Sequence, residues 1–288
     1  MTLTSGEHEF NYHIELEQVS TELKPRVCRE RATCGRQELF DRDLDGVRFP
    51  KSNKGFPLDW RQAALVSIQP ASDRKQISEM QRALSRILIL RPSPREMESE
   101  SRGESSTPDL FFRNLTSWYR FLSQEQEWVD ELRSLLQDVW PDFLSFRLMD
   151  AGLRSKALQL RFSSAGEREG GLFYFDQLSD GEKSLVGLYM VVATLTTGSA
   201  SSVFIDEPDN FVGLPELQPW VTTLQALLDK DTQAILISHH PEILGAAQDQ
   251  GRYFWRENHT SPTRVGPLII PDGISASEAI ARGWASGQ

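Results

Sequence analysis

The sequence predicts an α/β fold, a mostly parallel sheet flanked by helices, on three observations. From residue 175 onward short apolar runs alternate with helix-length stretches: strand, helix, strand (202–206), helix (215–229), strand (234–238), helix, and a last strand at Arg252–Arg256. Strands separated by helices run in the same direction, because each helical crossover carries the chain back along the sheet. Two of the runs, Val203-Phe204-Ile205-Asp206-Glu207 and Ile235-Leu236-Ile237-Ser238-His239, end in acids and in histidine. The carboxyl ends of parallel strands are where open α/β sheets bind ligands. Third, Leu178-Ser179-Asp180-Gly181-Glu182-Lys183 reads as the opening of a helix between the earlier strand and those two.

Ahead of that core, Tyr12-His13-Ile14-Glu15-Leu16 alternates as a half-buried strand does, and Glu38–Phe49 reads as a hairpin around Asp45-Gly46. Ile77, Met80, Leu84, Ile87 and Leu88 share one face of a helix over 72–88. The Ser- and Glu-rich, Pro-bounded stretch Arg91–Pro108 reads as an exposed, mobile linker. A helical pattern returns over Asn114–Val139, where Trp128, Val129, Leu132, Leu135, Leu136 and Val139 form an apolar stripe suited to core packing, and Pro141 ends it. Leu158, Leu160 and Phe162 alternate with Gln159 and Arg161 as a strand, which Phe173–Phe175 resumes; Ser275–Trp284 is helix-like. The expected division is 1–71, β-rich; 72–174, helical, with the linker 91–108; 175–256, the motif-bearing core; and 257–288, a tail.

Composition narrows the function classes. Of the 288 residues 39% are hydrophobic and 25% charged, ordinary for a globular domain. No apolar run approaches the roughly 20 residues that span a bilayer, and Met1–Tyr12 lacks the apolar region of a signal peptide. Two cysteines, Cys28 and Cys34, with no histidine cluster beside them argue against a disulfide scaffold or zinc site and fit a reducing, cytoplasmic setting. A net charge of −10 gives no global nucleic-acid footprint. The densest basic stretch, Lys24–Arg31, reads as a solvated face or as a local nucleic-acid contact.

Each motif has a structural reading and a chemical one. Ser179 and Glu182 have capping-box spacing, which alone accounts for both. Chemically, a helix N-terminus with Gly181 at its opening offers free N–H groups and a positive dipole to an anion, and glycine lets a phosphate approach the backbone. Asp206 and Glu207 are either surface acids at a strand end or a metal site. Neighbours on a strand face opposite ways, so one acid would hold Mg²⁺ and the other an attacking water. His239 is either a satisfied structural histidine or a donor to a phosphate.

Together and in this order, the motifs resemble those of the ABC-type ATPases, specifically the RecF/SMC/OLD-like branch of RecF-type AAA-family ATPases. Leu178–Lys183 is similar to the signature motif, Val203–Glu207 to the Walker B strand, and Ser238-His239-His240-Pro241-Glu242-Ile243-Leu244 to the T-H-S-P-E-I-L switch segment, with His240 where serine is usual. The resemblance implies a P-loop NTPase-like fold with a helical lobe inserted before the signature, ATP and Mg²⁺ as cofactors, and a homodimer or a complete ATPase as partner. It further implies that Asp206 binds the metal, Glu207 and His239 are catalytic, and Ser179, Asp180, Gly181 and Glu182 contact ATP in trans. Asp209 and Asn210 then occupy the D-loop, and nucleic acid enters as a partner by family analogy alone.

One part is missing from the pattern. A phosphate-gripping loop of the form G-x-x-x-x-G-K-[ST] needs a Gly-Lys pair, and none of the 19 glycines precedes lysine. Three explanations stand: a truncated chain or misplaced start, lacking about 50–80 residues by the size of a βαβ unit; a subunit that supplies or regulates a complete ATPase without catalysing; and a degenerate relative. Truncation is the leading expectation, and it implies impaired ATP binding by the chain alone and exposed apolar surface on the central strands.

Overall fold

The computed structural model describes residues 1–18, 25–50, 54–163, 171–229, 231–247, 250–271 and 273–282. Lys24 and Trp284, named above, lie outside them. The chain divides into two compact units, Met1–Ile87 and Leu88–Gln288.

In the first unit β1 (Thr2–Ser5), β2 (His8–Glu17), β3 (Arg26–Cys34), β4 (Gln37–Asp43), β5 (Gly46–Phe49) and β6 (Lys54–Phe56) pair in chain order as one antiparallel sheet. The β4–β5 hairpin turns where Asp45-Gly46 predicts it, and only glycine fits there. Gly46 has φ +136°, and a Cβ would lie 2.5 Å from the Phe56 carbonyl oxygen. Two helices, α1 (Ala64–Ser67) and α2 (Lys75–Ser85), cover the sheet, and Phe10, Phe40, Val47, Leu65, Ile77 and Met80 make the core. The predicted 72–88 helix therefore ends at Ser85, and it packs with the β-rich residues instead of leading a helical lobe. Ile87 and Leu88 belong to β7 (Ile87–Leu90). Four consecutive apolar residues ahead of Arg91-Pro92 favour an extended run, because proline disfavours helix in the residue before it.

The basic stretch is largely neutralised: Arg26 pairs with Glu17, Arg29 with Asp41 and Arg31 with Glu38. Glu30 points the other way and is fully buried. Its carboxylate accepts the Tyr12 hydroxyl at 2.8 Å and the backbone N–H groups of Ala64 and Leu65 at 2.5 and 2.8 Å. Arg42, its register partner on β4 and equally buried, donates to the carbonyls of Val27 and Asp59 at 3.0 and 3.1 Å.

Three phenols titrate late. Burial, then the Glu30 carboxylate, raises Tyr12 well above the ordinary tyrosine value; burial alone does the same for Tyr119; and Tyr189 is pushed up to about 12, mainly by burial and further by Asp138. A folded-state pKa above the unfolded one means that the unfolded chain loses its proton first as pH rises. Stability is therefore expected to be complete below pH 10 and to fall above it, as urea midpoints at pH 9, 10 and 11 would reveal. A flat profile over that interval would contradict the burial of these hydroxyls.

In the second unit β8 (Glu100–Ser101), β9 (Phe143–Asp150), β10 (Lys156–Phe162) and β11 (Leu172–Tyr174) form an antiparallel sheet centred on β10. The stretch 91–108, expected as an exposed linker, is packed. Pro94, Met97 and Ser101 are buried, β8 pairs with β10, and the backbone N–H groups of Arg91, Ser93 and Glu98 bond the carbonyls of Leu110, Phe111 and Arg113. Its polar composition conceals these anchors because they are mostly backbone groups.

The predicted helical region splits into α3 (Leu115–Leu122) and α4 (Gln126–Val139), and the stripe residues Trp128, Leu132, Leu135 and Leu136 are buried as expected. α4 packs on α5 (Asp180–Thr196), whose residues Ser184–Leu195 are all buried, as a helix apolar on every side must be. The indole N–H of Trp128 donates to Thr194 Oγ1 at 3.1 Å. That of Trp220, on α6 (Leu214–Leu227), donates to the Leu188 carbonyl at 3.2 Å. Gly187 leaves space for the Phe112 ring, which a Cβ would meet at 2.9 Å. The middle and C-terminal half of α5 are thus held from several sides.

A third sheet has the order β13-β12-β7, from β12 (Ser202–Asp206) and β13 (Gln233–Ile237). The β12–β13 pair is parallel and in register, Asp206 opposite Ile237. The chain continues through α7 (Pro241–Ala247), a hairpin of β14 (Arg252–Trp255) and β15 (Arg264–Pro267), and α8 (Ala276–Ala281). Of the strands expected to run parallel, β12 and β13 do so, while the first-unit sheet, the β10 sheet and the β14–β15 hairpin are antiparallel. A tight turn at Ala151–Ser155 reverses the chain between β9 and β10. One face of the third sheet packs on the core through Leu88, Leu90, Val203 and Ile205. On the other, Ile89, Phe204, Ile235 and Ile237 are 63, 39, 52 and 58% exposed.

Candidate functional site

Ser179 caps α5. Its hydroxyl accepts the Glu182 N–H at 3.3 Å, and Glu182 Oε2 accepts the Ser179 N–H at 2.7 Å and its hydroxyl at 2.8 Å. The capping box read from spacing is therefore formed, and it engages both side chains. Asp180 is ion-paired with Arg95 at 3.3 Å. Gly181 has a reason other than phosphate: a Cβ there would lie 2.6 Å from the Phe211 carbonyl oxygen. The turn after β12 presses against the opening of α5, and only glycine admits it.

Asp206 closes β12 and Glu207 follows it in the left-handed region, φ +53°. A non-glycine residue there is strained, by about 1–3 kcal/mol. The consequence corrects the expectation that the two acids face opposite ways, since alternation stops where the strand does. Both carboxylates reach one guanidinium: Arg91 Nε lies 3.4 Å from Asp206 Oδ2 and Arg91 Nη2 lies 3.5 Å from Glu207 Oε2. Asn210 Nδ2 donates to the same Glu207 oxygen at 2.9 Å, and the Glu207 N–H donates to the Ile237 carbonyl at 2.8 Å. Phe211, φ +72°, ends the turn in the same strained region.

The neighbouring strand end is tied to this turn. Ser238 Oγ donates to Asp209 Oδ1 at 2.5 Å and accepts the His240 N–H at 2.8 Å, while His240 Nδ1 accepts the Glu242 N–H at 3.3 Å. Ser238 and His240 shape the turn into α7, and His239 between them is exposed. Asp206, Glu207, Asp209, Asn210 and His239 thus all lie at one end of the β12–β13 pair. The structure also brings the loop of Asp209 and Asn210 against Gly181.

Arg91 and Ser238 escaped the sequence reading of site residues. The signal for Arg91 is partial: Ile87–Leu90 is a short apolar run, but nothing in that segment says that it pairs with β12.

Among the described residues no group of three or more histidines, cysteines, aspartates or glutamates is arranged to hold a metal, and no helix is long and apolar enough to cross a membrane. Two adjacent carboxylates do fit Mg²⁺ of the nucleotide-bound kind, which takes one or two carboxylates and fills its octahedron with phosphate and water.

No family model matches the chain, and no curated protein matches it. Solved structures that overlap it include an SmcHead bound to the C-winged helix domain of ScpA, with 14% identity, TM-score 0.45, and 86% of this chain and 76% of that one covered. Another is the SMC head domain from Thermotoga maritima, with 14% identity, TM-score 0.40, and 92% and 76% covered. A third, described under ATP-driven dimerization and DNA stimulated activation of SMC ATPases, has 17% identity, TM-score 0.41, and 57% and 92% covered. At these scores they are partial likenesses, and no residue of the site takes its role from them.

Proposed function

We propose that the chain is an ABC-type, RecF-like ATPase subunit that works with ATP sandwiched between two protomers, either a homodimer or a pairing with a complete ATPase. The observation that carries this reading is the register of β12 and β13. Asp206 stands opposite Ile237, so that acids and histidine end at one level, joined by the Asp209–Ser238 bond. In this assignment Asp206 holds Mg²⁺, Glu207 takes a proton from the attacking water, and His239 orients that water or donates to the γ-phosphate. Ser179 and Gly181, with Asp180 and Glu182 beside them, face the nucleotide of the opposite protomer, and Asp209 and Asn210 lie where the two sites communicate. Bound Mg²⁺ would supply charge neutralisation at the phosphates.

Calorimetric titration of the 288-residue chain with Mg²⁺-ATP tests the reading. With no Gly-Lys phosphate loop in the sequence, binding is expected to be weak but saturable, and Asp206→Asn to weaken it further. Absence of binding, or binding indifferent to Asp206, would favour instead a non-catalytic subunit that lends its signature face to another ATPase.

A further inference from the structure

Resting on that assignment of Asp206 and Glu207, we propose that Arg91 is a built-in counter-cation of the acid pair, which a divalent cation must displace to bind. Two carboxylates turned to one side repel each other unless something positive stands between them, and Arg91 is the group that reaches both. Its root is fixed. The Arg91 N–H donates to the Leu110 carbonyl at 2.6 Å, the Ser93 N–H to the Phe111 carbonyl at 3.3 Å, and Pro92 between them locks one backbone dihedral. Only the side chain is free to swing.

Its hold on the acids is of a replaceable kind. Charge-assisted bonds of full strength run at about 2.7–2.9 Å, whereas these contacts are 3.4 and 3.5 Å and the Arg91 side chain is 55% exposed. The Glu207 carboxylate does not belong to Arg91 alone, since Asn210 already holds it. A guanidinium in that place lowers the affinity of the bare protein for a divalent cation and leaves the acids poised for one that arrives with additional ligands, as on a nucleotide.

Mn²⁺ titration without nucleotide, followed by electron paramagnetic resonance, tests this on the full chain. Arg91→Gln is expected to bind Mn²⁺ on the order of ten-fold more tightly than the unaltered protein, the size expected for removing two partly exposed ion pairs. Arg91→Lys, which keeps the charge, is expected to resemble the unaltered protein, and adding Asp206→Asn to Arg91→Gln should abolish the gain. Equal Mn²⁺ affinity with and without Arg91, lost in Asp206→Asn, would overturn the role of Arg91 and leave the metal assignment standing. No Mn²⁺ binding even in Arg91→Gln, or a gain that survives Asp206→Asn, would overturn both.

Discussion

Replacing Glu207 by Gln is expected to reduce ATP turnover on the order of 10²–10⁴-fold, the usual contribution of a positioned general base. Nucleotide affinity should change little. The substitution is close to isosteric, and the amide oxygen can still accept the Asn210 Nδ2 bond that fixes the side chain at 2.9 Å. The φ of +53° at this position is a backbone property that glutamine tolerates as well as glutamate. What is lost is the ability to receive a proton. Single-turnover hydrolysis beside equilibrium ATP binding separates these effects, and turnover equal to that of the unaltered chain would remove Glu207 from the chemistry.

The second large effect lies in the other unit and concerns stability. Glu30→Ala is expected to destabilise Met1–Ile87 by about 3 kcal/mol or more, at roughly 1–3 kcal/mol for each buried donor left without its acceptor. The variant would orphan three donors at once: the Tyr12 hydroxyl and the N–H groups of Ala64 and Leu65. Glu30→Gln, which keeps the volume and one acceptor oxygen, should cost visibly less. Denaturant unfolding of the two variants measures both; a loss under about 1 kcal/mol in Glu30→Ala would show that neither the caps nor the charge matter.

How much of this could be read from the chain depends on what each signal reports. Periodicity reports burial over consecutive residues, so the β4–β5 hairpin, α4 and β12 fall where alternation and turn residues put them; β2 forms too, but its Ile14 and Leu16 are exposed and not half-buried. The motif ends, Ser179 to Glu182 and Asp206 to Asn210, have local patterns and were legible for the same reason. Arg91 was not. Its partners are more than a hundred positions away, and the β7–β12 pairing that joins them leaves no trace in either segment alone. Glu30 was hidden inside a run of arginines that looks like surface. Strand alternation turns the arginines to solvent and the single acid to the core. Glu207 followed the strand rule in the sequence and departs from it in the structure, because one left-handed residue changes the side to which a carboxylate points.

The open side of the third sheet bears on how the protein stays in solution. Among the described residues β13 pairs only with β12, so its outer backbone groups form a free edge. Edges of this kind are ordinarily guarded by lysine, proline or a bulge, yet Ala234-Ile235-Leu236-Ile237 contains none of these. With no such guard at the strand, the long-range repulsion of the −10 net charge is what would oppose edge-to-edge pairing of copies through β13. Salt screens that repulsion and leaves the strand edge unchanged. Solubility should therefore decline as ionic strength rises, the reverse of what a patch of paired surface charges would give.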